Sequence, residues 1–384
     1  MKTICHFSAL LMALSFFFCR CAADQHNDTT YSGLKKVNFE GIVHGDSTHL
    51  FVLRNPQGAE LCMTNYGGRI VSLWIPDRSG TFRDVVLGFD HIDEYTAKPS
   101  SFGATIGRVA NRIDHGKFIL DDDTVRLDIN SGEHSIHGGA SGWQNQVFTG
   151  RQLSDSSLLL SYTSPDGEGG FPGKVAVQVR YTLTADNSLA IHYTCKADKR
   201  TPINMTNHSF FNLSGDPNNT ILQDSLYVNA DSFTLLRQDL ITTGDYWPVA
   251  HTPFDFRTKT AIADALGKPG NAADQLAIVQ GIDHNFVLNT QRDSTRLAAS
   301  LYAPKSGIQM DVYTDQPGLQ VYTGNMLDGS RKGKRGIVYK KQAGICLESQ
   351  YFPDSPNKSD WPSTILEPGD TYSHVCVYKF SARD

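Results

Sequence analysis

The sequence predicts an all-β fold, a large antiparallel β-sandwich with very little helix, and three observations lead there. Val175, Val177, Val179, Tyr181 and Leu183 alternate with mostly polar residues, the chain turns through Ala185-Asp-Asn-Ser188, and Leu189, Ile191, Tyr193 and Cys195 resume the alternation. Period two on both arms marks an antiparallel hairpin with one buried face. Further strand-like runs at 59–66, 69–75 and 84–89 are each bounded by Gly, Pro, Asp or Asn, residues that turn a chain for backbone reasons. Helical periodicity is confined to a short piece at 260–266, and no interval supplies the strand, long helix, strand alternation that a parallel sheet requires. Large antiparallel sheets bury their inner faces against each other, which gives the sandwich.

Size and charge are compatible with that architecture. A chain of 384 residues with 40% hydrophobic residues, 20 Phe and 15 Tyr can bury a sizeable core, and all-β folds often run this long as one unit; residues 37–384 are read as one domain. A formal charge of -5 with no extended basic block leaves no electrostatic footprint for nucleic acid. At the N-terminus, Lys2 precedes an apolar run over residues 7–19 and then Arg20-Cys-Ala-Ala23. This reads as a secretory signal peptide over 1–23, too short to span a bilayer. Cleavage after Ala23 predicts a soluble exported protein, whereas lipidation at Cys19 or Cys21 would tether it; Phe18 and Arg20 suit the second course poorly. Residues 24–36 are polar and read as a flexible spacer. Asn-x-Ser/Thr acceptors at Asn204, Asn207 and Asn212 would carry glycans in the segment richest in candidate chemistry, which favours a bacterial periplasm. Beyond the leader, Cys62, Cys195, Cys346 and Cys376 are widely spaced in apolar contexts and are expected to be buried thiols, with a bridge left open.

That candidate segment is Asn204-Met-Thr-Asn-His-Ser-Phe-Phe-Asn-Leu213. It sets His208 among amides and hydroxyls that hydrogen-bond sugars and aromatics that stack on them, which suggests carbohydrate chemistry. Taken singly, each candidate also has a plain reading. His208 could be a satisfied core histidine, Glu348 an outward or ion-paired carboxylate after an apolar run, and Asp283 and Gln316 turn residues. Arg112 could be a surface arginine beside Asn111, and His137 a loop residue. The His134-x-x-His137 spacing permits a metal, but no third His or Cys ligand is near in sequence and Gly138-Gly139 implies a loop, so no metal or other cofactor is expected.

Phe102-Gly-Ala-Thr-Ile-Gly-Arg-Val-Ala-Asn-Arg-Ile113, His137-Gly-Gly139, Gly281-Ile-Asp-His-Asn-Phe286, Gln316-Pro-Gly318 and Cys346-Leu-Glu-Ser-Gln350 occur in this order. With the His208 segment they make the chain resemble the aldose 1-epimerases, the galactose mutarotases, over about residues 39–380. The resemblance implies the very large β-sandwich of that family and a monomeric enzyme acting on a free monosaccharide. It makes His208 the proton donor and Glu348 the proton acceptor, and gives Asn111, Arg112, His137, Asp283 and Gln316 to substrate binding. Such a reaction needs one acid, one base and no cofactor, because ring opening and reclosure reverse both proton transfers. His284, next to Asp283 on a strand, would point the other way. One departure stands out: where the family has Gly-Phe-Asp-Lys and then Trp, this chain reads Gly142-Trp143-Gln-Asn-Gln-Val-Phe148, so Trp143 is either a platform for a sugar ring or loop filler. Three rivals remain at this stage: a non-catalytic carbohydrate-binding protein, a glycoside hydrolase using Asp283 with Glu348, and a sugar-phosphate epimerase using the basic run at 331–335, which otherwise reads as a solvated turn.

Overall fold

The computed structural model describes residues 30–98 and 100–383; the expected signal peptide lies outside them. Strands dominate, and every pairing between them is antiparallel. Three sheets organise the molecule, of nine, five and four strands. The predicted hairpin forms the middle of the largest: Val175–Leu183 pairs with Ser188–Ala197 from Val175 opposite Ala197 to Leu183 opposite Leu189. Its alternate residues Val177, Val179, Tyr181, Ile191 and Tyr193 enter the main core.

The five-stranded sheet, ordered Thr242–Pro248, Ala230–Leu236, Asp283–Leu288, Gly318–Tyr322, Cys346–Gln350, positions the chemistry. Phe286, Leu319, Val321 and Leu347 point into the same core as the nine-stranded sheet. Because successive side chains alternate across a strand, Asp283, Gln320, Tyr322 and Glu348 are forced onto the opposite face. His284 turns inward as that alternation requires. It is fully buried against Phe233 and Phe254, and burial lowers its pKa to about 3.

Several expectations need correction. The 84–89 run is strand only as far as Asp84 in Phe82–Asp84. Beyond it the chain stays buried and bonds to an irregular neighbour, Leu87 N–H donating to Phe210 O and Asn212 N–H to Val85 O. Helix does occur at Ile262–Gly267, but Ala273–Val279 and Ile92–Thr96 are also helical. The end of the expected spacer is folded down. Thr30 and Leu34 are buried, the Tyr31 N–H donates to Glu60 Oε1 at 2.8 Å, and the Arg54 guanidinium sits 4.3 Å from the Tyr31 ring centre. The basic run at 331–335 is not simply a solvated turn, since Lys334 is buried with its Nζ 2.6 Å from Asp84 Oδ2. Cys62, Cys195, Cys346 and Cys376 are free buried thiols. Asn204, Asn207 and Asn212 are also buried, so the folded protein could not carry glycans on them in any compartment and they say little about localisation. Among the described residues no helix is long and apolar enough to cross a membrane.

Candidate active site

Two rows of side chains cross three strands of the five-stranded sheet. In one, Asp283 lies opposite Tyr322 and Tyr322 opposite Cys346; in the next, Asn285 lies opposite Gln320 and Gln320 opposite Glu348. His208 approaches from a separate two-stranded ladder, where Thr206–His208 pairs with Ala104–Ile106. Its Nε2 stands 3.7 Å from Glu348 Oε1, and its Nδ1 stands 3.5 Å from Cys346 Sγ.

Around this pair the remaining candidates are ordered by backbone geometry. Asn111 and His137 both adopt positive φ, 61° and 53°, an uncommon conformation that asparagine and histidine tolerate better than most side chains. These kinks fold two loops together: His137 N–H donates to Asn111 O, and Asn111 N–H donates to His137 Nδ1 at 3.2 Å. With Nδ1 accepting, the neutral His137 ring carries its proton on Nε2 as a free donor. Its ring packs edge-on to His208 at 5.3 Å. Burial, the adjacent His208 and Arg112 hold its pKa well below the ordinary histidine value. Arg112 N–H donates to Asn111 Oδ1 at 2.8 Å, and Arg112 pairs with Ile136 in a short ladder.

Burial decides the electrostatics of the acid and base. The His208 pKa is lowered to about 4, chiefly by burial and further by Arg69, while that of Glu348 is raised well above its ordinary value by burial and then by Asp283. Burial also raises Asp283, against the opposing charge of Arg112 and a 2.7 Å hydrogen bond from Gln320 Nε2. Glu348 Oε2 is buried with no hydrogen-bond partner. Burial thus favours the uncharged form of each, imidazole on His208 and carboxyl on Glu348. Moving that one proton from Glu348 to His208 gives carboxylate and imidazolium with no change in proton count, so the two belong to a single coupled titration.

A cavity of about 340 Å³ opens beside His208, lined among others by Ser101, Phe102, Phe210, Tyr322 and Arg331. Phe102 stacks on Phe210 with ring centres 4.6 Å apart, giving the cavity an aromatic wall. Arg331 contributes no free cationic cluster, because its guanidinium donates to the Glu94 and Lys98 carbonyls.

The structure thus brings together His208, Glu348, Asn111, Arg112, His137 and Asp283, but not Gln316. Gln316 is fully buried beyond the Gly318 end of its strand, with its amide on Asp315 Oδ1 at 3.0 Å, whereas the active row lies at Gln320 and Tyr322. Gln320, four residues later, is the glutamine that meets Asp283 and faces Glu348; Gly318-Leu-Gln-Val-Tyr322 read as an alternating strand after a turn would have exposed it. Of the two readings left open for Trp143, sugar platform or loop filler, its place in the fold matches the second. It is fully buried, its Nε1 donates to Glu168 Oε2 at 3.1 Å, and its ring covers Gly107, where a Cβ would clash with it. His134 joins Asp114 and His115 rather than His137.

The family model described as aldose 1-epimerase matches residues 49–379. A galactose mutarotase of Bos taurus is 42% identical over 317 residues, 83% of this chain and 90% of the relative. An aldose 1-epimerase of Escherichia coli (strain K12) is 35% identical over 341 residues, 88% of this chain and 96% of the relative. Among solved structures, an aldose epimerase homologue from C. elegans superposes with a TM-score of 0.81 at 29% identity, covering 88% of this chain and all 100% of its own. A galactose 1-epimerase from Lactobacillus acidophilus NCFM gives 0.78 at 26%, covering 90% and 97%. Sequence and architecture agree over nearly the same span, and the chain belongs to the aldose 1-epimerase family.

Proposed function

We propose that this isomerase interconverts the α and β anomers of free aldohexoses such as D-glucose and D-galactose by acid-base ring opening and reclosure. The observation that carries the reading is the 3.7 Å approach of His208 Nε2 to Glu348 Oε1, with Gln320 and the Asp283 it bonds beside the carboxyl. O1 and O5 of a pyranose hang from the same carbon, so the groups that serve them must themselves be neighbours. Glu348 takes the C1 hydroxyl proton while His208 protonates O5. The open-chain aldehyde then faces a protonated carboxyl and a neutral imidazole, the forms that burial favours. Rotation about C1–C2 and reversal of both transfers closes the ring with the other anomer. Asp283, held by Gln320, accepts from sugar hydroxyls, while Arg112 and the Nε2–H of His137 donate to them and Asn111 fixes the His137 ring.

Polarimetry of freshly dissolved α-D-glucose and α-D-galactose tests the proposal directly; a folded protein that accelerates neither would leave a carbohydrate-binding role in its place. Its pH dependence is also set. Catalysis needs one proton on the pair, so on the acid side kcat/KM is expected to fall only near pH 4, where His208 gains a proton. A loss already centred at the ordinary histidine value would contradict the buried-pair account. Arg112→Ala should raise KM about tenfold, as loss of a charged hydrogen bond of roughly 1.5 kcal/mol implies, with a smaller change in kcat; an unchanged KM in steady-state kinetics would remove Arg112 from the site. The same reading has the chain exported after loss of residues 1–23 and active as a monomer, which N-terminal sequencing of the native protein and light scattering would check.

A further inference from the structure

We propose that His208, Cys346 and Glu348 form a binding site for a soft divalent cation, zinc or cadmium, which closes the cleft when occupied. The ligand atoms of these buried residues, one from each, all lie within 4.8 Å of one another. Cys346 Sγ stands 3.5 Å from His208 Nδ1 and Glu348 Oε1 stands 3.7 Å from His208 Nε2, so the two groups flank different nitrogens of one ring, only one of which can hold the ion. Zinc bonds of about 2.3 Å to sulfur and about 2.0–2.2 Å to nitrogen and oxygen imply tetrahedral edges of roughly 3.3–3.8 Å, so the thiol already stands at edge distance from Nδ1, and binding there requires the Glu348 carboxylate to swing toward that nitrogen. A second observation points to the same residues: Glu348 Oε2 is buried without a hydrogen-bond partner, an open acceptor whose desolvation a cation would relieve.

The donor set is chemically apt. Thiolate selects soft ions and imidazole suits zinc, while three protein ligands leave a fourth position for water from the cavity. On binding, the thiol and carboxyl protons leave to bulk water and the imidazole supplies its lone pair. The resulting thiolate and carboxylate then balance the two charges of the ion, so the buried complex carries no net charge. The other cluster of ligand-type residues among the described residues, Asp114, His115 and His134, lacks this balance. Both oxygens of Asp114 already accept from Arg237 at 3.0 and 3.1 Å, and His134 Nδ1 accepts the His115 N–H at 3.0 Å. A guanidinium already occupies the place of the ion there. An ion on the first site takes both the acid and the base, so it excludes the sugar; this inhibitory consequence, though not the binding itself, rests on the mutarotase reading.

Cadmium chloride titration of the whole protein, followed by the thiolate-to-cadmium charge-transfer absorbance, tests the site without reference to activity. The band is expected to saturate with a single equivalent, to be suppressed by excess galactose, and to vanish in Cys346→Ser, with Cys346→Ala as the alternative should the serine variant fail to fold. Zinc should inhibit mutarotation reversibly, a chelator restoring the rate. With each protein normalised to its own metal-free rate, Cys346→Ser should need at least about tenfold more zinc for half inhibition. No band in folded wild type, or equal zinc sensitivity with and without Cys346, overturns the proposal. A band lost with Cys346 in a protein that turns over no aldose would leave the metal site standing and refute the mutarotase reading instead.

Discussion

His208→Asn and Glu348→Gln are each expected to lower kcat for galactose mutarotation by about 100- to 10,000-fold, the range that positioned acid-base groups supply. The double variant should be little worse than either single one. Each proton transfer is useless without the other, so removing one partner forfeits the concerted step. Stability should move independently of rate. Glu348 is nearly fully buried with an unpartnered oxygen and a raised pKa, so the folded state binds its proton more tightly than the unfolded chain. That preference stabilises the fold below the ordinary glutamate pKa and is progressively lost as pH rises toward the folded value, at about 1.4 kcal/mol per pH unit. Glutamine keeps the shape and cannot ionise, so the variant should gain on wild type in urea midpoint as pH climbs through that window. His208 acts in the opposite sense: its lowered pKa makes the fold lose stability as pH falls from the ordinary histidine value toward about 4, a loss His208→Asn should remove. Mutarotation retained above a tenth of wild type in either variant, measured by polarimetry, would take the pair out of the mechanism.

What the sequence disclosed follows from how local each feature is. The hairpin at Val175–Leu183 and Ser188–Ala197 was legible because one face meets the core and the other water, so period two is written into each arm. The 85–89 stretch defeated the same reading: it is apolar and extended, yet after Val85 N–H donates to Leu73 O on the strand Arg69–Pro76 the pairing passes to the irregular segment 210–212. At the site, no single residue separated itself from its plain reading; the ordered motifs shared with the aldose 1-epimerases singled out His208 and Glu348. Gln320 was missed because what marks it, the hydrogen bond to Asp283, spans 37 residues of chain and exists only once the strands are in register. Gln316 was chosen instead on the strength of a motif whose polar residue turns out to serve the loop. Trp143 looked available because its neighbours are polar, while the groups that bury it arrive from 107 and 162–168.

Trp143→Ala should be among the most damaging single substitutions in the protein, costing about 3–5 kcal/mol of folding stability. The indole is fully buried and packs over Gly107 and near Tyr162, with ring centres 6.5 Å apart. Removing it opens a cavity that the backbone beneath cannot collapse to fill. It also leaves Glu168 Oε2 without the indole N–H, though Ser164 still donates to it. Trp143→Phe separates the two contributions: much of the packing returns but the hydrogen bond does not, so a loss of roughly 1–3 kcal/mol is expected there. The effect should reach the site as well. Trp143 N–H donates to Gly107 O, Gly142 N–H donates to Gly139 O, and the Gly142 Cα packs so closely on His137 O that no side chain fits; the tryptophan is therefore the anchor of the loop that carries His137. Under conditions where Trp143→Phe remains folded, KM for galactose should rise while the pH profile set by His208 and Glu348 stays in place. Wild-type stability of Trp143→Ala in urea denaturation would mean that the indole is not the keystone of this loop, and the free-platform reading of Trp143 would regain its standing.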